Sequence, residues 1–396
     1  MNRGEIKRNG FLGAMIVAIV LGAVMCQTAS NFHESELTES ANNEVQAVDG
    51  KKTEVFAEKV MEDVGKTMLG ALSYIGDRLG LFRAMASMDS FSAKELAEAA
   101  GCNQRLVEEW LKAMVSHQYV LYDSNNKRFL FPPEYAAVLA DDDSPFFTGG
   151  AIEYALPAVL ATHKVMGAFR TGIPITPDVF HPDIWEGIER WSTPMYRHQL
   201  VQKWIPLMPD VLEKLQKGAF VADVGCGGGR ALITIASAFR NSKMHGFDVY
   251  EPSIERARTN AREAGIEGQV EFFVGSTSDL PRGQYDLITN FWVLHHFSHP
   301  VKEMEAIRQA LAPNGSYLIM EDRLSSEPNK NISTAARVAY GSSTLACLHD
   351  SMADDGVGLG TCNEQDVRRL AQQAGFGYIR LLPLDDPYTA LYQLKK

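Results

Sequence analysis

The period of apolar positions changes along the chain. From Thr53 to Leu81 they recur at helical spacing (Val55, Phe56, Val60, Val64, Met68, Leu69 and Leu72), which predicts long helices. The next stretch reads SAKELAEAAGCNQRLVEEWLKAMVSHQYVLYDSNNKRFLFPP. There Ser92 can cap a short helix with Glu95 closing a capping box, Gly101 turns the chain, and Asn103 starts a second helix. Tyr119–Tyr122 and Arg128–Phe131 flank DSNNK as a hairpin, so the order helix, turn, helix, hairpin predicts a winged helix. Residues 134–218 read as mainly helical, with the break TGIPITPDVFHPD in the middle.

From Ala219 the texture becomes alternating strands and helices. Strands are predicted at Ala219–Val224, Met244–Val249, Val270–Val274, Tyr285–Asn290, Ser316–Glu321, Tyr378–Leu382 and Tyr388–Gln393. Helical patterns separate the first six, whereas a short Pro-Asp turn joins the last two, which should therefore pair antiparallel. The expected fold class is α/β, a doubly wound, mostly parallel seven-stranded sheet behind a helical and winged-helix domain.

The N-terminus stands apart. Arg3, Lys7 and Arg8 precede a charge-free run, Phe11–Cys26, and acidic residues follow it with no Lys or Arg until Lys51. The run is shorter than the roughly 20 residues of a spanning helix but matches a signal-peptide core. The charge asymmetry favours a cytosolic N-terminus and a translocated remainder. The expected organisation is a signal peptide or membrane anchor over residues 1–30, an acidic linker over 31–52, a helical and winged-helix domain over 53–135, a helical lid over 136–218 and a nucleoside-binding domain over 219–396. Secretory or membrane-anchored localisation, with membrane association through residues 11–26, is one expectation. A cytoplasmic body is the alternative.

The net charge of -11 argues against a general nucleic-acid binder. Within the winged helix, Glu108 and Glu109 occupy the helix that would enter a DNA groove, so dimerisation or covering a substrate is the expected role. Cys26, Cys102, Cys226, Cys347 and Cys362 form no CxxC pair and have no His at zinc-finger spacing, so no metal site is expected.

Candidate chemistry centres on Val221–Arg230, VADVGCGGGR. A phosphate loop needs Lys followed by Ser or Thr after its glycines, but Arg230 and Ala231 stand there. The dinucleotide fingerprint needs its third glycine where Arg230 stands. What remains is an acidic residue and three alternating glycines between a strand and a helix, a turn that lets a ligand touch backbone N–H groups. The second strand then ends at Asp248, where a carboxylate can accept hydrogen bonds from both hydroxyls of a ribose.

These segments resemble the motifs of class I S-adenosylmethionine-dependent methyltransferases. DVGCGGG matches the first motif, GFDVYEPSIERAR the second, VEFFVGSTSDLP the third, YDLITNFWVLHHFSHP the fourth and LAPNGSYLIMED the fifth strand with its preceding turn. The upstream half, PPEYAAVLADDDSP and YGSSTLACLHDSMADDGVGLG are similar to a bacterial subgroup with an N-terminal winged helix. The resemblance implies S-adenosylmethionine as cofactor, Asp223 near its amino-acid part, and Gly225, Gly227 and Gly229 passing close to it. It also implies Asp248 on the ribose, Val249 on adenine, and Asn290 among the donor contacts. Many members carry Gly-Asp where Gly275-Ser276 stands here; Ser276 offers only a hydroxyl, and Thr277 or Asp279 are the other sources of that contact.

Methyl transfer is an in-line displacement at a sulfonium, so the protein must align the acceptor and remove its proton. His295, in WVLHHFSHP, stands where plant-type winged-helix O-methyltransferases place their catalytic His, and is the candidate base. His296 is expected to be structural. Tyr196, His198, Glu321 and His349 are candidate contacts to a small-molecule acceptor, methylated at oxygen. A homodimer through the winged helix is a further expectation. The competing reading is a metabolite-sensing regulator or scaffold that uses the winged helix on DNA or protein.

Overall fold

The computed structural model describes residues 48–396. The apolar run 11–26 and most of the acidic linker lie outside the described residues. Among those described, no helix is long and apolar enough to cross a membrane. The chain divides into two units, Met1–Lys59 and Val60–Lys396. The expected linker ends too late, because a helix already starts at Gly50 and runs to Arg78.

The winged helix forms as its local signals dictate. Ser92 accepts a hydrogen bond from Glu95 N while the Glu95 side chain returns to the Ser92 N–H, closing a capping box on Ala93–Ala99. Asn103 Oδ1 accepts from Arg105 N at 3.0 Å and opens the helix Gln104–Ser116. Strands β1 (Leu121–Asp123) and β2 (Arg128–Leu130) pair antiparallel as the wing. The apolar faces of these elements meet in a core that includes Phe82, Phe91, Leu96, Leu111 and Met114.

Two further helices, Gly149–Leu160 and Asp183–Met195, cross against each other. Arg190 sits where they meet the N-terminal helix. It donates to Asp77 at 2.8 Å, to Asp142 at 3.0 Å and to the fully buried Glu153, which Arg78 also engages. The segment then passes through a wide helical turn, Tyr196–Trp204, and the helix Pro209–Lys217. Tyr196, Leu200, Trp204, Met208 and Val211 are buried against the sheet, so part of the expected lid supplies one face of the sheet's core.

That sheet contains β3 (Phe220–Val224), β4 (Lys243–Asp248), β5 (Val270–Val274), β6 (Tyr285–Phe291), β7 (Leu311–Asp322), β8 (Tyr378–Leu381) and β9 (Thr389–Lys395). The order across it is β5-β4-β3-β6-β7-β9-β8. Strands β3 to β7 pair in parallel, and β9 is antiparallel to both β7 and β8, as the short Pro-Asp connection requires. Apolar cores cover both faces, the expected consequence of parallel crossovers through helices. Beyond β3 the chain steps outward to β4 and β5, then returns to the other side as β6. That reversal opens a crevice at the carboxyl ends of β3, β4 and β6.

Candidate functional site

The glycine turn sits in this crevice. Gly225 has φ +69, and a Cβ there would lie 2.5 Å from Val293, so only glycine lets the turn pass the segment after β6. The turn then enters the helix Arg230–Ala238. Asp248, at the end of β4, accepts from Gly227 N at 2.9 Å and from Tyr250 N at 2.9 Å. Its carboxylate is thereby aimed at the mouth of the glycine turn. Val249 is 75% exposed beside it, an apolar side chain with nothing packed over it.

Asp223 lies deeper. It is buried, accepts from Thr289 Oγ1 at 2.7 Å, and burial pushes its carboxyl up to about 7, with Asp248 adding to the push. Asn290, on the next residue of β6, is fully buried, and neither side-chain atom has a hydrogen-bond partner among the described residues. A buried amide with no partner costs on the order of 1–3 kcal/mol, which a ligand at this position would recover. Ser276 caps the turn Thr277–Asp279, bonding Ser278 N at 3.3 Å, so its hydroxyl is already committed to the loop; Thr277 is buried.

Beyond β6 the backbone is strained. Trp292 holds φ +56, a left-handed conformation uncommon for a bulky residue, and its indole stacks on Trp191 with centroids 5.7 Å apart. Its Nε1 donates to Asp322 at 3.2 Å. Glu189, from the same helix as Trp191, reaches the outer side of the glycine turn. There it accepts from Arg230 Nε at 2.7 Å and from Asn260 Nδ2 at 2.8 Å, while that amide also bonds Gly228 O. Arg230, which breaks the dinucleotide fingerprint, thus ties the turn to the helix above it.

The candidate base is buried in a polar pocket. His295 Nδ1 meets Glu321 Oε2 at 2.6 Å, and Glu321, 1% exposed, also accepts from the His295 backbone N at 3.2 Å. With Nδ1 so engaged, Nε2 is the ring nitrogen left for another partner, and the Cys347 thiol lies close by. Burial opposes protonation of His295, but the Glu321 carboxylate and the Cys347 thiol outweigh it and hold its pKa well above the usual value. His296, expected to be structural, is paired as well. Its Nδ1 meets Asp350 Oδ2 at 2.8 Å, and its pKa is held up at about 9 despite burial, chiefly by the neighbouring thiol.

Two other expected acceptor contacts do not reach this pocket. Tyr196 packs in the sheet's core against Phe291 and Trp204, with its hydroxyl in the field of Asp223, so it belongs under the donor turn. His198 is spent on the surface, its Nε2 2.8 Å from Asp143 O. His349 is buried and its Nδ1 accepts from Ile175 N at 3.4 Å. Sequence reasoning named Asp350, beside His349, as a residue able to reach an acceptor, but missed Cys347, Glu189 and Trp292. For none of these three did the sequence carry a signal, since each meets the site only through the fold.

Comparison with known proteins agrees with this architecture. Residues 215–375 match the family model "Methyltransferase domain" and residues 67–141 the model "Rv2258c-like winged HTH domain". The ubiquinone biosynthesis O-methyltransferase of Idiomarina loihiensis is 32% identical over 130 residues, covering 32% of this chain and 53% of the relative. The chain thus spans about half the length of such curated relatives. A candidate O-methyltransferase of Nostoc punctiforme superposes with a TM-score of 0.68 at 20% identity, covering 86% of this chain and 98% of that one. Human N-acetylserotonin methyltransferase, solved with S-adenosylmethionine, superposes at 0.62 with 16% identity, covering 88% and 99%. Residues 215–375 thus match a methyltransferase domain and residues 67–141 a winged helix-turn-helix domain, and the sheet order and crevice share the fold of these solved methyltransferases.

Proposed function

We propose that this protein transfers a methyl group from S-adenosylmethionine to the oxygen of a small-molecule acceptor. The observation that carries this reading is Asp248, whose carboxylate is held by two backbone N–H groups at the lip of the glycine turn. Those two bonds fix its orientation before a ligand arrives, so a ribose diol meets a preformed acceptor. The buried, unpartnered Asn290 and the exposed Val249 are consistent with a nucleoside lying along the ends of β3, β4 and β6. The O-methyltransferase relatives support oxygen as the acceptor atom.

The donor supplies an activated methyl group. The chain's residues must align the acceptor and take its proton, and the His295–Glu321 pair is placed to do so: Glu321 holds Nδ1, leaving Nε2 for the acceptor. Calorimetric titration of the full chain with S-adenosylhomocysteine tests the donor site. Asp248→Ala should weaken binding about 100-fold, the loss of about two charge-assisted hydrogen bonds; unchanged affinity refutes the reading. His295→Ala should keep that affinity while lowering turnover about 100-fold or more once an acceptor is in hand. A variant that turns over at the wild-type rate removes His295 from the chemistry.

A further inference from the structure

His295, His296 and Cys347 each offer one ligand-type atom, and these atoms lie within 4.8 Å of one another. Tetrahedral zinc with one sulfur and two nitrogen ligands sets its donor atoms roughly 3.3–3.7 Å apart, from bond lengths of about 2.0–2.3 Å. Closing on an ion therefore asks only for side-chain shifts of about an ångström. We propose that this cluster is a mononuclear binding site for a zinc-class divalent cation, with His295, His296 and Cys347 as its ligands.

The second set of contacts argues for this independently. Both imidazoles present their Nδ1 to a carboxylate, His295 to Glu321 at 2.6 Å and His296 to Asp350 at 2.8 Å. Each His then has its Nε2 left for an ion, the arrangement by which outer carboxylates orient metal-bound histidines. A lone general base needs one such carboxylate; two adjacent histidines, each with its own, converging on a thiol, make a ligand set. The thiol itself is buried, with the Tyr154 hydroxyl 3.9 Å away. One thiolate and two imidazoles select zinc-like ions over magnesium or calcium, which prefer oxygen. The other acidic group at metal-like spacing, Glu153 with Asp183 and Glu186, is already neutralised by Arg78 and Arg190.

Three protein ligands leave a fourth position, the mark of a catalytic rather than a structural zinc site. His296, 28% exposed, is where the cluster reaches solvent; the two histidines follow β6 and Glu321 ends β7, so the cluster lies at the carboxyl ends of the strands, as the glycine turn does. This inference rests on the acceptor site proposed above and deepens it. An acceptor hydroxyl takes the fourth position, and the ion lowers its pKa so that its proton leaves to water. The new bond then forms between that oxygen and the methyl carbon, the sulfonium carbon–sulfur bond breaks, and S-adenosylhomocysteine departs. With the ion bound, His295 serves as a ligand, and the ion takes over the activation of the acceptor.

Metal analysis and cobalt substitution of the full chain test the site, with S-adenosylhomocysteine binding measured in parallel. Wild-type protein equilibrated with zinc and desalted should hold close to one ion per chain. Its cobalt form should show a thiolate-to-cobalt charge-transfer band that Cys347→Ser abolishes. Asp350→Asn should weaken zinc about 10-fold or more with donor affinity unchanged, which separates lost coordination from lost folding. Absence of bound zinc in the wild type, or a charge-transfer band that survives Cys347→Ser, overturns the proposal. Loss of donor binding in the wild type would instead defeat the methyltransferase reading.

Discussion

Asp223 illustrates how a single side chain can be placed for a ligand at the expense of the empty protein. Its folded pKa of about 7 lies above the usual carboxylate value of 3.8 because it is buried, with only Thr289 donating to it. The unfolded chain ionises first as pH rises. The stability tied to this group is therefore complete below about pH 4 and is lost progressively until pH passes about 7. Asp223→Asn, which can still accept from Thr289, should remove this dependence. Thermal melts of the ligand-free protein at pH 5 and pH 8 should show the variant gaining on the wild type only at the higher pH. Equal gains at both would show that Asp223 does not carry the effect. Donor binding should fall in the same variant, since the charge is what the ligand would meet.

At the scale of elements, the turn between β3 and its helix is under a close steric constraint. A Cβ at Gly225 would collide with Val293, whereas one at Gly227 meets nothing within 4 Å and bears only the strain of φ +51. Gly225→Ala should therefore destabilise by about 2–4 kcal/mol and Gly227→Ala by about 1 kcal/mol. Denaturant unfolding of the two variants would test the ranking. Much at this scale was legible in the sequence. The Ser92 capping box, the Asn103 cap, the wing, and the antiparallel pairing of β8 with β9 all follow from residues within a few positions of one another. The strand boundaries moved by one or a few residues, as for β7, which starts at Leu311 rather than Ser316. The fate of Tyr196 was not legible, because helical spacing marks a buried face without saying what covers it.

Across the whole molecule, Arg190 joins the N-terminal helix, through Asp77, to the crossed helices, through Glu153. Burial works against its charge, but three carboxylates outweigh that and raise its pKa further. Removing it leaves Glu153, itself fully buried, with only the half-exposed Arg78. Arg190→Met should cost about 3–5 kcal/mol, and adding Glu153→Gln should return part of it. A double variant no better than the single would show that the pair is uncoupled.

The sequence by itself determined which ligand class the β3 turn can accept. That decision lies in neighbouring residues: Arg230 excludes both rival glycine loops, and Asp248 closes the next strand. It also determined the alternation that makes a doubly wound sheet, because apolar period is a local property. Only the tertiary structure decided what surrounds His295. Glu321 arrives from β7, and Cys347 and Asp350 arrive from the helical segment beyond it, tens of residues away along the chain. Spacing along the sequence carries no signal for such a meeting. The sequence alone suggested no metal site, since its cysteines lack the short-range patterns that announce one. The fold assembles the proposed site from residues that the sheet crossovers bring to one edge of the crevice.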